Sequence, residues 1–155
     1  MVWDYLEAPA PLGRLRLEAD DTGLTSITFC SAETAAEPPA QPHPLLERGK
    51  AQLAEYFAGE RQRFDLPLAA SGTPFQRRVW AALCKVPFGV TCSYGDIAAA
   101  LGQPTASRAV GLANARNPLP IIVPCHRVIG ASGKLIGYSG GLTRKKWLLA
   151  HESAS

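Results

Sequence analysis

The chain has 155 residues, of which 46% are hydrophobic and 19% charged, a balance that can bury a core and excludes a predominantly disordered chain. No apolar run approaches the ~20 residues needed to span a bilayer, and residues 1–10 carry Asp4 and Glu7 without a basic, then apolar leader. Neither a membrane segment nor a signal peptide is therefore predicted, and a reducing cytoplasm is the expected compartment.

The net charge of +3 conceals a split: residues 1–70 hold six Arg and Lys against eleven Asp and Glu, whereas residues 71–155 hold ten against two. A basic half of that size suits a polyanionic partner, because each phosphate met by Lys or Arg releases counterion. A solvated basic face with no partner reads equally well from charge alone.

The first third reads as strands. Val2–Ala8 mixes apolar and polar residues before a turn at Pro9–Gly13. Arg14–Glu18 alternates strictly, the period of a half-buried strand, and Leu24–Phe29 follows the Asp20–Gly23 turn. Ser31–Pro42, rich in Ala, Glu and Pro, reads as a surface loop. Leu45, Leu46, Gly49, Leu53, Tyr56 and Phe57 recur at helical spacing, with Gly59 placed to cap the end. Phe64–Leu68 is predicted as one further short strand, and Ala69–Gly72 as the boundary between two domains, 1–70 and 71–155.

The second half reads as helices and loops. Thr73-Pro74 starts a helix whose apolar stripe is Phe75, Val79, Ala82 and Leu83. Ser93–Leu101 is a second helix, with Ser93 and Asp96 in capping-box positions. A third runs from Thr105 or Ala106 to Ala115 and ends at Asn117-Pro118. Two short helices across a three- or four-residue turn have the form of a helix-turn-helix, and equally of a plain helical hairpin. Ile121–Val123 is a buried run too short to classify, Gly130–Gly141 reads as a loop, and Thr143–His151 as the last helix. The predicted class is α+β: a small N-terminal antiparallel sheet plus helix, then a mostly helical C-terminal half.

Cys30, Cys84, Cys92 and Cys125 are scattered, with no CxxC and no zinc-like pairing, so four free thiols are expected. Cys125 stands out because it follows a proline and a buried run and adjoins His126. A thiol becomes nucleophilic as thiolate, which a nearby base or cation favours by lowering its pKa. Adjacent Cys and His side chains diverge, and such a pair is more often structural than catalytic. The last helix runs against its own dipole: Arg144, Lys145 and Lys146 occupy its first turn and Glu152 its end. That pattern asks for an anion near the basic triplet and a cationic or hydrogen-bonding partner for Glu152. His43, His126 and His151 are the available histidines.

The segment Asn117-Pro118-Leu119-Pro120-Ile121-Ile122-Val123-Pro124-Cys125-His126-Arg127-Val128 resembles the active-site signature of the O6-alkylguanine-DNA alkyltransferases. Order and spacing agree over residues 73–152, including Thr73–Gln76, Ser93-Tyr94, Arg108–Gly111, Gly137–Gly141 and Trp147–Glu152. Residues 1–70 are similar only in length and in strand-helix order. The resemblance is to the bacterial constitutive form. It implies direct-reversal DNA repair, in which a minor-groove helix-turn-helix flips O6-alkylguanine, with O4-alkylthymine a second candidate, out of double-stranded DNA.

Each motif residue then takes an implied role. Cys125 would accept the alkyl group, irreversibly and once. His126 would serve as its base through a water, with Glu152 orienting the ring. Asn117 would hold the turn between recognition helix and active-site strand. Tyr94 would rotate the target phosphate and contact the base, and Arg108 would fill the gap left in the stack. The carbonyls of Cys125 and Val128 would read the guanine amine, and Tyr138 and Ser139 would line the pocket. Ala106, Ala109 and Gly111 would form the small-residue docking face. A monomer without cofactor or metal is implied; the zinc that some relatives hold in the N-terminal half would find only Cys30 and His43. Three other readings compete: a lesion-binding module, against which Cys125 argues because such proteins lack the acceptor, a cysteine hydrolase, and a helix-turn-helix regulator.

Overall fold

The computed structural model describes residues 1–30, 42–130, 138 and 140–154. Most of the two loops predicted over Ser31–Pro42 and Gly130–Gly141 lies outside them. The chain divides into two compact units, Met1–Ser71 and Gly72–Ser155. As expected, the fold is α+β.

In the first unit, β1 (Val2–Glu7), β2 (Arg14–Ala19) and β3 (Leu24–Cys30) form an antiparallel sheet in that order. The register pairs Asp4 with Leu17 and Leu17 with Ile27. Alternation along β2 buries Leu15, Leu17 and Ala19 on one face, and α1 (Pro44–Phe57) packs there. Burying side chains such as Leu46 and Leu53 contributes about 1.5–3 kcal/mol each. Gly49 allows the approach, since a Cβ there would meet Leu17 Cδ2 at 3.1 Å. The helix ends at Ala58, and Gly59 follows at φ 78°.

The strand predicted at Phe64–Leu68 is replaced by an isolated parallel bridge, Leu24 to Leu68. Pro67 has no N–H to extend a ladder. The Gln52 side chain holds this segment instead, accepting from Asp65 N at 2.9 Å and donating to Asp65 O at 3.0 Å.

In the second unit, α2 (Pro74–Leu83) and α3 (Tyr94–Ala100) each begin with a capping box, Thr73 with Gln76 and Ser93 with Asp96. The stripe of α2 differs from prediction. Val79, Trp80 and Leu83 are buried, whereas Phe75 and Ala82 are only partly covered. Trp80 Nε1 donates to Ala113 O at 2.9 Å, tying α2 to α4 (Ser107–Ala115). The connection from α3 to α4 spans residues 101–106, longer than predicted. Gly102 at φ 73° and a turn from Gln103 to Ala106 occupy it.

Residues 121–123 form turns rather than a strand, with Ile121 at φ 76°. A 3-10 turn, Cys125–Arg127, leads into β5 (Val128–Ile129), which pairs in parallel with β4 (Cys92–Ser93). That pairing brings the start of α3 beside the segment after Cys125. The last helix, α5 (Leu142–Ser153), runs two residues beyond the predicted end. No helix among the described residues is long and apolar enough to cross a membrane.

Candidate active site

Cys125 is buried at the start of the 3-10 turn. Turns rather than the active-site strand implied by the resemblance lead into it, since Val123 N donates back to Leu119 O and Cys125 N to Val123 O. A β-branched residue at positive φ, Ile121, precedes it by four positions, a conformation that costs on the order of 1–3 kcal/mol. The site resists the ionisation expected of a ready thiolate. Burial pushes the Cys125 thiol up to about 11, while hydrogen bonds from Asn117 and Tyr138 and the charge of Lys145 pull it back only in part. At neutral pH the resting group is a thiol, so a nucleophilic role needs a base at the moment of reaction.

A base is close in sequence and fully buried. His126 Nε2 lies 2.7 Å from Glu152 Oε2, and burial lowers the pKa of the ring more than Glu152 raises it. The imidazole is neutral, and the carboxylate assigns its proton to Nε2. Nδ1 has no hydrogen-bond partner among the described residues and keeps its lone pair. Glu152, from the last turn of α5, also accepts from Arg127 Nε at 2.8 Å and Arg127 Nη2 at 3.0 Å. The partner that its position demanded is therefore double, and sequence reasoning named only the histidine. An adjacent PCHR run gives no hint that Arg127 turns inward.

The basic triplet of α5 does not act as one group. Lys145 is fully buried and donates from Nζ to Val128 O at 2.6 Å, while Lys146 is exposed and Arg144 donates to Gly140 O at 3.1 Å. Lys145 is the one whose charge acts on Cys125, where it favours the thiolate. Asn114, another residue the sequence did not single out, donates from Nδ2 to Cys125 O at 3.4 Å. Of the two carbonyls expected to read a guanine amine, Cys125 O accepts from both Asn114 Nδ2 and Val128 N, and Val128 O accepts from Lys145 Nζ.

Asn117 is buried, with Nδ2 donating to Val123 O at 2.8 Å and Oδ1 accepting from Leu119 N at 3.0 Å, so it bridges the turn between α4 and the acceptor. Tyr94 opens α3, half-buried, with burial first and then the negative charge Cys125 carries once ionised raising its pKa. Tyr138 is held well above its ordinary value by burial and by the same charge. Ser139 lies outside the described residues.

Arg108 and Ala109 are exposed on α4, Ala106 and Gly111 half-covered, and Gly111 stands against the Tyr94 ring at 4.0 Å from a Cβ position. Leu112 was not foreseen on this face. It is 62% exposed one turn after Arg108, with Arg116 exposed one turn further on. Among the described residues no cluster of three His, Cys, Asp or Glu side chains could hold a metal ion.

These features define a cysteine-centred site, a thiol beside a histidine–carboxylate pair, next to an exposed basic helix. Comparison with known proteins gives the family. The model of the 6-O-methylguanine DNA methyltransferase DNA binding domain matches residues 74–154, and that of the family's ribonuclease-like domain matches residues 1–70. A methylated-DNA–protein-cysteine methyltransferase of Methanosarcina acetivorans is 48% identical, over 97% of this chain and 98% of its own. The constitutive one of Bacillus subtilis is also 48% identical, over 94% and 92%. A crystal structure of Mycobacterium tuberculosis OGT in complex with DNA superposes with a TM-score of 0.83 at 48% identity, covering 97% of this chain and 92% of that one. The chain belongs to this family of enzymes, the methylated-DNA–protein-cysteine methyltransferases.

Proposed function

We propose that the chain repairs O6-alkylguanine in double-stranded DNA by one irreversible transfer of the alkyl group to Cys125. The observation that carries this reading is the buried thiol, protonated at rest, beside a neutral imidazole whose Nε2–H is fixed by Glu152. In the reaction, the thiol proton passes through a water to Nδ1 of His126. A sulfur–carbon bond forms in line as the carbon–O6 bond breaks, and its electrons leave on guanine, which takes up a proton. A thioether at Cys125 is a poor leaving group, so each molecule reacts once.

The damaged atom sits inside the duplex, so the base is flipped at a cost of a few kcal/mol. Residues 71–155 carry both the docking surface and the acceptor, while residues 1–70 act as a scaffold. Arg108, Ala109 and the half-covered Ala106 and Gly111 form the face of α4 that enters the minor groove, and Arg108 fills the gap in the stack. Tyr94 turns the target phosphate, and the Cys125 and Val128 carbonyls read the guanine amine. Tyr138 and Ser139 line the pocket and stabilise charge near O6. Asn117 keeps the acceptor turn in place. The protein acts as a monomer in the cytoplasm without cofactor or metal, with O4-alkylthymine a second candidate substrate.

Mixing the full chain with a duplex carrying one O6-methylguanine and measuring intact mass tests this. The expected result is one methyl group per chain, mapped to the Cys125 peptide. Catalytic turnover without a mass change, or a methyl group on Cys84 or Cys92, overturns it.

A further inference from the structure

Arg127 has no part in the transfer chemistry above, yet the fold buries its charge. Removing a guanidinium from water costs several kcal/mol unless its donors are met. Here they are: Nε and Nη2 take the two oxygens of Glu152, Nη1 donates to Val86 O at 2.6 Å, and the guanidinium lies 5.8 Å from the Phe88 ring centroid. Gly89 N adds a longer contact to Glu152 Oε1, at 3.4 Å. The carboxylate is thus held from the 3-10 turn and from the turn at residues 86–89 at once.

We propose that Arg127 is a positioning residue for His126: its fork fixes both oxygens of Glu152, so the carboxylate meets the ring only at Nε2–H, and Nδ1 stays the basic nitrogen. The inference rests on the reading of His126 as the base for Cys125. A charge argument supports it. A lone buried carboxylate beside an imidazole favours imidazolium, which has no lone pair for a proton. With Arg127 sharing the carboxylate, the group of three is electrically balanced when His126 is neutral. The other charge facing the ring is Lys145, which also disfavours the imidazolium, and Cys125 is uncharged at rest. An Arg rather than a Lys suits the task because only a planar fork binds both oxygens in parallel.

The test uses the full chain as wild type, Arg127→Met and Arg127→Lys. Nitrogen NMR of the His126 ring reports tautomer and protonation. Single-turnover transfer from an O6-methylguanine duplex, measured against pH, reports the base. In Arg127→Met the ring takes up a proton through the neutral range, and transfer at pH 7 falls by about two- to fivefold and recovers as pH rises. In Arg127→Lys, which keeps the charge and loses the fork, the ring stays neutral but populates both tautomers, and transfer falls about tenfold with an unshifted pH midpoint. A single Nε2–H tautomer with wild-type transfer in Arg127→Lys overturns the proposal, even where Arg127→Met does not fold. Wild-type protein that transfers no methyl group overturns the proposed function instead, and the ring spectra still decide the clamp.

Discussion

The two units place their charges in opposite ways. In residues 1–71 the ion pairs lie at the surface, Arg14 with Glu7, Arg16 with Glu18, Lys50 with Asp4 and Arg61 with Glu55, over a core in which Gln52 is the one buried polar side chain among the described residues. In residues 72–155 the core itself holds Asn114, Asn117, His126, Arg127, Lys145 and Glu152. Surface pairs of the first kind contribute little, typically under about 1 kcal/mol. Buried groups of the second kind carry desolvation costs that packing with apolar residues would avoid. A fold that keeps six of them around one cysteine has been shaped by chemistry there and by simple burial elsewhere.

That contrast sets the scale of the expected effects. Cys125→Ala should abolish transfer while leaving binding of lesion-containing duplex intact, read by intact mass and by a binding titration. It should also change stability at high pH. The folded thiol titrates near 11 and the unfolded one near 9.0, so the native state holds the extra proton between those values. Wild-type stability contributed by this group is full below pH 9 and lost as pH rises toward 11, by about 3 kcal/mol, and Cys125→Ala should lack that component of the fall. Parallel denaturation curves of the two proteins across this range would refute the buried, protonated thiol.

Glu152→Gln comes next. It leaves the buried Arg127 charge uncompensated, so a loss of about 3–5 kcal/mol is expected in urea unfolding, along with slowed transfer. On transfer, the Glu152→Gln, His126→Ala double variant should cost little more than either single one, because the two form one chain to the thiol. Strictly additive losses in single-turnover rates would separate them.

The exposed face of α4 predicts smaller, substrate-dependent losses. Arg108→Ala should slow repair in duplex by about 10- to 100-fold, the worth of ~1.4–3 kcal/mol toward an extrahelical base, and barely affect transfer from free O6-benzylguanine. Leu112→Ala should weaken duplex binding by about fivefold, since the side chain has apolar area to lose against sugar edges and, at 62% exposed, little role in the fold. Equal losses on free base and duplex would place either residue in the chemistry or the fold instead.

Much of this was legible in the sequence, and what was not has physical reasons. Period-two alternation gave β2, Thr73 an N-cap and Ser93 a capping box, because those signals are local, while the box that Gln76 completes with Thr73 was not read. Glu152 announced a partner by sitting against the helix dipole, and His126 lies 2.7 Å away. Arg127, Lys145 and Asn114 were not legible, because their burial is settled by non-local contacts, Arg127 to Val86, Lys145 to Val128 and Asn114 to Cys125 among them. Ile121 carries no mark of its left-handed backbone, since β-branched residues are poor candidates for it. Trp80 was passed over on α2 because the spacing of Phe75, Val79 and Ala82 made an adequate stripe without it.

The smallest predicted effect is the one that tests the scaffold side of the contrast. Asp4 faces Lys50 at 2.6 Å, both partly exposed. Burial alone would raise the Asp4 pKa, but the hydrogen bonds from Lys50 and from Tyr5 N outweigh it, and the carboxyl ends below its ordinary value of 3.8. A depressed folded pKa means that the stabilisation is present above the unfolded value and disappears as pH falls through the folded one. Asp4→Asn should therefore lower stability at pH 7 by less than about 1 kcal/mol, with the difference from wild type closing below pH 4 and shrinking in high salt. Transfer to Cys125 should be unchanged, because the proposed function gives this unit no part in the chemistry. Urea unfolding of the full chain at both pH values, with single-turnover transfer alongside, measures all of this. A loss comparable to that of Glu152→Gln, or a slowed transfer, would show that residues 1–71 hold an electrostatic role in the reaction and would end the division of labour drawn between the two units.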